Sequence, residues 1–192
     1  MRKEIVLCGV GGQGTVLASR LISAAAMARQ IPVMSAETIG MAQRGGSVFS
    51  HLRMGEGLYS PMIARGEADL ILGFEPGEAV RMLPYLRPEG QVVVSSRPVM
   101  PVTAALSGRA YRAEEMLDYL KAQVPHLRIV DADRALLDVG SPKVLNLILL
   151  GAALREGALG LLEEDLREAI RTLIPPKFHE LNHRALSWAL EH

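Results

Sequence analysis

The chain has 192 residues, which suits one α/β domain better than two. Its 21 Lys and Arg balance 21 Asp and Glu, removing the basic excess that a polyanion-binding protein needs. Apolar residues make up 49% and aromatics only 4%, so disorder is excluded and the core must be built from aliphatic side chains.

Glu4-Ile-Val-Leu-Cys8 is a short apolar run that stops at glycine and reads as a buried parallel strand. The turn Gly9-Val-Gly-Gly-Gln-Gly14 follows, and 15–29, rich in Ala and Leu without Gly or Pro, is expected to be a helix. Ile31–Ser35 reads as a second strand, entered through Pro32. Residues 36–46 show no period and form a loop, and Ser47–Met54 alternates as a strand. Leu58–Ile63 reads as its hairpin partner.

Strand signals recur at 70–74, 91–95 and 127–131, with helical patterns at 76–86 and 114–124. Beyond Asp133 they stop. Ser141-Pro142 marks a helix start, with the helix expected over 143–155, and two more helices are expected at 163–173 and 177–189. The alternation predicts a Rossmann-like α/β fold: a mostly parallel sheet with helices on both faces and a helical C-terminal tail. A single domain over 1–189 is expected. Residues 190–192 resemble the start of a histidine tag and are set aside.

One cysteine, Cys8, rules out an intrachain disulfide and a cluster ligated by cysteines of this chain alone. It fits a reducing, cytoplasmic setting. The charged start does not resemble a signal peptide, and no apolar run reaches the ~18 residues of a membrane span. Neither nucleic acid nor membrane is an expected partner.

Gly9-x-Gly11-x-x-Gly14 sits between a predicted strand and a predicted helix, the context that gives this motif weight. In this run, which also holds Gly12, Gly9 permits the tight turn, Gly11 a close approach, and Gly14 close packing of helix on strand. Free N–H groups at the helix start attract anions, and the Gln13 amide can donate and accept. Glu37, 23 residues beyond Gly14, stands where a dinucleotide site places its ribose-binding acid. Packing without any ligand explains the same glycines equally well.

In the second constellation, Glu37 to Ser47, Arg44 is followed by Gly45 and Gly46. A guanidinium beside flexible backbone suits a carboxylate, a phosphate or a partner chain. A solvated surface arginine is the plainer reading of the spacing.

Gly9–Gly14 ahead of an alanine-rich helix, with Gln43-Arg-Gly-Gly-Ser47 about 30 residues on, resembles the gamma domain of 2-oxoacid:ferredoxin oxidoreductases. The longer run from Ser35 to His51 resembles the small beta subunit of the indolepyruvate type. Asn146 with Leu150-Gly151-Ala152 matches a later element of the family, and the resemblance covers nearly the whole chain. It implies oxidative decarboxylation of an aryl 2-oxoacid to an acyl-CoA, with electrons passed to ferredoxin. This chain has no Gly-Asp-Gly element with a downstream Asn pair for a magnesium-bound diphosphate, and too few cysteines for a cluster. The resemblance therefore implies that thiamine diphosphate, Mg2+ and iron–sulfur clusters reside in a large alpha subunit, with none bound by this chain alone. The isolated chain is expected to be inactive.

Two roles follow for the glycine turn and the Glu37–Gly46 loop, each taken to leave one of two neighbouring strands. They form a wall of a composite active site, or a coenzyme A entrance, including Asn146; or they dock the large subunit. A stand-alone NAD(P)- or FAD-dependent oxidoreductase, an adenylating enzyme and a pure scaffold remain the competing readings. Self-association into a homodimer is left open.

His51 is a candidate to orient a substrate carboxylate, with a structural histidine on a half-exposed strand the plainer reading. His179 and His183, at i and i+4, lack the HExxH pattern and read as a solvated face. Cys8 reads as a small core residue, with a reactive thiol beside the glycine turn the lesser alternative. Met34, Met41 and Met54 are candidates for an adaptable partner surface, with core packing the plainer reading.

Overall fold

The computed structural model describes residues 2–37, 45–100 and 111–192. Strand β1, Lys3–Val10, is apolar along its length because both of its faces are covered. Ile5 and Leu7 enter one core; Val6 and Cys8 enter another on the opposite side of the sheet. Helix α1 spans Thr15–Ala28, β2 Val33–Glu37, β3 Ser47–Met54 and β4 Ala68–Gly73. Then come α2 (Pro76–Met82), β5 (Leu86–Ser95), α3 (Ala113–Gln123) and β6 (His126–Val130). Four helices complete the described chain: α4 (Ala132–Val139), α5 (Leu145–Arg155), α6 (Glu163–Leu173) and α7 (His179–Glu191).

The sheet order is β2-β3-β1-β4-β5-β6. Strands β1, β4, β5 and β6 are mutually parallel, and β3 runs antiparallel to both β1 and β2. The expected mostly parallel sheet is present, but β1 and β2 are not neighbours. The eight-residue β3 pairs along all of β1, from Lys3↔Met54 to Val10↔Ser47, and pushes β2 to the edge. The expected hairpin partner at Leu58–Ile63 is also absent. That segment is a loop held by Arg53, whose Nη1 donates to the carbonyls of Ser60 (2.8 Å) and Met62 (3.2 Å). The Ile63 N–H donates to His51 Nδ1 at 3.1 Å.

Helices α2 and α3 pack on one face of the sheet, and α1 with the C-terminal helices on the other. The expected helical C-terminal tail is present and folds back as a covering layer on that face. In α5, Leu147, Ile148, Leu149 and Leu150 are all 0% exposed, and each such side chain contributes about 1.5–3 kcal/mol by leaving water. Helix α4 falls in a stretch to which the sequence assigned no element; the Asp131 side chain caps its start (3.1 Å from the Arg134 N–H) and Gly140, at φ 79°, ends it. Leu190 and Glu191 complete α7 and His192 caps it: Leu190 packs on the core, and the His192 ring stacks on Trp188. Among the described residues no single helix is long and apolar enough to cross a membrane.

Candidate functional site at the carboxyl edge of the sheet

The glycine turn leaves the carboxyl end of β1, where open α/β sheets place their ligands. Gln13 fixes its shape. Its Oε1 accepts the Val10 N–H at 2.7 Å, and its Nε2 donates to the Phe74 carbonyl at 2.9 Å. The amide expected at the mouth of the site is instead a staple between β1 and the end of β4. Gly9 must be glycine, because a Cβ there would lie 2.7 Å from Phe74 Cβ and 2.8 Å from Gln13 Oε1.

Gly11 and Gly46, from the two motifs, meet directly through a 2.9 Å hydrogen bond from the Gly11 N–H to the Gly46 carbonyl. Ser47 Oγ then donates to Glu78 Oε2 at 2.5 Å, and the Gly45 backbone turns at φ 80°. Arg44 lies outside the described residues, as do Met41 and Gln43. Glu37 is not brought to the turn: it pairs in register with Ser50 of β3, and β3 separates it from β1.

On the α1 side the turn opens into a cleft of about 360 Å3. Gly12 (φ 100°) has open space where a Cβ would point, and Gly14 (φ 88°) caps α1. Asn146, 3% exposed, sits against Gly14, with its Cγ 3.4 Å from where a Cβ would be. The buried Asn146 Oδ1 has no hydrogen-bond partner among the described residues. Arg97 and Lys143 complete the polar lining, with Leu17, Leu136 and Leu145 as apolar walls. The α1 N-terminus offers unpaired N–H groups and partial positive charge there.

Arg97 and Lys143 were missed in the sequence because each follows a loop proline or serine rather than a glycine motif. Their relevance comes from position: one follows β5, the other precedes α5.

A second polar cluster lies across the sheet, also unnoticed in the sequence. Glu75 is 1% exposed and caps α2, its Oε2 accepting the Glu78 N–H at 2.9 Å. Tyr111 donates its hydroxyl to Glu75 Oε1 and accepts the Gly77 N–H at 3.0 Å. Burial pushes the Glu75 carboxyl above its ordinary value, partly offset by the Tyr111 and backbone hydrogen bonds. The Glu-Pro dipeptide opening α2 was its only sequence signal.

The remaining candidates are structural. Cys8 is fully buried, and desolvation with nearby Glu78 and Glu75 pushes its thiol well up, away from the reactive thiolate. His51 is 1% exposed rather than half-exposed, with its ring edge-on to Phe49 and Tyr85. His179 bonds the Ile174 carbonyl at 2.6 Å and His183 Nδ1 lies 3.3 Å from Arg167, so the pair is engaged within the fold instead of solvated. Met54 is buried and Met34 is 36% exposed, so these two do not share one surface. Among the described residues no three His, Cys, Asp or Glu side chains converge as a metal site. One buried thiol also does not fit an iron–sulfur cluster, which takes four thiolates.

A mostly parallel α/β sheet with a glycine turn at the carboxyl end of its first strand has the architecture of the nucleotide-fold class. The chain belongs to the pyruvate ferredoxin/flavodoxin oxidoreductase family, whose sequence pattern matches residues 4–192. It is 37% identical to the indolepyruvate oxidoreductase subunit IorB of Thermococcus kodakarensis, over 95% of this chain and 91% of that one. It is 28% identical to the pyruvate/ketoisovalerate oxidoreductases common subunit gamma of Pyrococcus furiosus, over 98% and 95%. The fold matches the gamma subunit of a keto/oxoacid ferredoxin oxidoreductase from Geobacter sulfurreducens (TM-score 0.72, 21% identity, 98% and 96% covered). It also matches 30% of a chain of 2-oxoglutarate:ferredoxin oxidoreductase from Magnetococcus marinus (TM-score 0.73, 17% identity, 98% of this chain).

Proposed function

We propose that the chain is the small subunit of an indolepyruvate-type 2-oxoacid:ferredoxin oxidoreductase and that its carboxyl-edge cleft faces coenzyme A in the assembled enzyme. The observation that carries the reading is the buried, unpartnered Asn146 Oδ1 at the floor of a cleft rimmed by a helix N-terminus, Arg97 and Lys143. Such an acceptor left dry costs about 1–3 kcal/mol, and a ligand N–H or O–H relieves that cost.

Coenzyme A supplies the thiol that takes the acyl group. Its phosphates suit the α1 N-terminus and the two cations, and its amide N–H groups suit Asn146. Gly12 and Gly14 let that backbone come close, while Gln13, Gly9, Gly11 and Gly46 hold the turn rigid. Thiamine diphosphate, magnesium and clusters belong to the large subunit in this reading, and the isolated chain turns over no 2-oxoacid. A stand-alone dinucleotide enzyme is disfavoured, since Glu37 lies a strand away from the turn.

The test uses the complex reconstituted with its large subunit. Arg97→Gln and Lys143→Gln together are expected to raise KM for coenzyme A about tenfold or more, with KM for the 2-oxoacid and co-purification unchanged. An unchanged coenzyme A KM refutes the cleft assignment. Arg44→Ala separates docking from ligand binding, because only docking loses the complex.

A further inference from the structure

Glu37, which the carboxyl-edge site does not use, borders a different hollow. It lies between α1, the edge strand β2 and the end of α6, with a volume of about 450 Å3, within the range of small-molecule sites. The α1 residues Ser19, Arg20, Ser23 and Met27 fall on one stripe of the helix, and Ser35 with Glu37 present the β2 side. Met27 and Leu173, 59% and 43% exposed, give it an apolar rim.

Three polar groups there lack partners. Ser19 is 1% exposed, and its buried Oγ has no hydrogen-bond partner among the described residues. Arg20 and Glu37 border the same hollow, yet no ion pair joins them or ties either to another described residue. Elsewhere on the surface most arginines are paired; Arg29 of the same helix meets Asp165. A lone cation and a lone anion bordering one hollow with a buried hydroxyl and apolar side chains form a complement to a small molecule carrying both charges.

We infer that the hollow between α1 and β2 binds a small zwitterion of the α-amino-acid type with an apolar side chain. Arg20 takes the carboxylate through its planar fork of donors, Glu37 takes the ammonium, and the Ser19 hydroxyl supplies a hydrogen bond at the floor. Met27 and Leu173 cover the side chain. The site is independent of the carboxyl-edge cleft, so each assignment stands or fails alone.

The test is calorimetric titration of the full chain with L-phenylalanine at neutral pH. Two analogues each lack one charge: 3-phenylpropanoate and phenethylamine. Saturable binding of phenylalanine is expected, with either analogue about tenfold weaker or more. Arg20→Gln and Glu37→Gln are each expected to weaken binding by a similar factor. Both sit where a change of charge leaves the core intact, which an unaltered melting temperature checks. Ser19→Ala, a smaller change, gives a smaller loss.

Absence of binding, equal binding of the analogues, or indifference to Arg20→Gln and Glu37→Gln would each overturn the inference. So would light scattering that shows a dimer broken by those substitutions without amino-acid binding, since the face would then belong to a second copy.

Discussion

The Gly11 N–H donates to the Gly46 carbonyl across 2.9 Å, so two motifs far apart in sequence form one rigid piece of backbone. One residue on, Ser47 ties the same piece to Glu78 at the start of α2. Three loops at the carboxyl edge are thereby fixed together before any ligand or partner arrives, and preorganisation of this kind lowers the ordering cost of binding.

Gln13 is the staple of that frame. Gln13→Ala leaves the Val10 N–H and the Phe74 carbonyl without their partner, a cost of about 2 kcal/mol. For a chain of this size that lowers Tm by about 4–8 °C. Gln13→Glu keeps the acceptor but sets a carboxylate against the Phe74 carbonyl, so it should be no better tolerated. A Tm within a degree or so of wild type for both variants would contradict the stapling role.

Gly151 allows α5 and α7 to touch. A Cβ at this position would lie 2.7 Å from Ala189 Cβ and 2.9 Å from the Leu186 carbonyl. Gly151→Ala gains about 1 kcal/mol of helix propensity, but it must move backbone, and overpacking costs about 1–3 kcal/mol. A lower urea midpoint is expected; a raised one would show that the helices separate freely.

Arg53 and Glu4 are a buried ion pair, with Nε–Oε2 at 2.6 Å and Nη2–Oε1 at 2.9 Å. Arg53→Ala leaves the Glu4 carboxylate with only the exposed Arg2, 2.7 Å away, and frees the loop carbonyls of Ser60 and Met62, an expected loss of about 3 kcal/mol. Removing both partners, Glu4→Ala with Arg53→Ala, is expected to cost less than the two single losses summed. Strict additivity in denaturant titrations would count against the pairing.

His51 carries part of the pH dependence of stability, alongside His183, whose imidazole is likewise held low by burial. Burial holds the His51 imidazole below the ordinary value of 6.5, and Nδ1 is occupied by the Ile63 N–H. The folded state therefore binds the proton more weakly than the unfolded chain. Its contribution to stability is intact above 6.5 and is lost as pH falls from there through the folded value. His51→Gln is expected to flatten stability against pH in that window; an unchanged slope would assign it to other groups.

Much of the carboxyl-edge site was visible locally. The glycine turn announces itself because so tight a strand-to-helix reversal needs glycine at particular positions, as the close contacts at Gly9 and the positive φ of Gly12 and Gly14 show. Arg97, Lys143, Glu75 and Tyr111 carried no such mark. Ordinary polar residues acquire a role only through neighbours contributed by distant strands. The unpartnered state of Asn146 is likewise a property of its surroundings, not of the residue.

Period and glycine placement alone determined the parallel α/β character, the turn and most helices, since those depend on contacts a few residues apart. Tertiary structure decided the insertion of β3 between β1 and β2, the removal of Glu37 from the turn, and the folding of α5 into the core. Each depends on which surfaces pair across the whole chain, where burial and hydrogen-bond satisfaction override local preference.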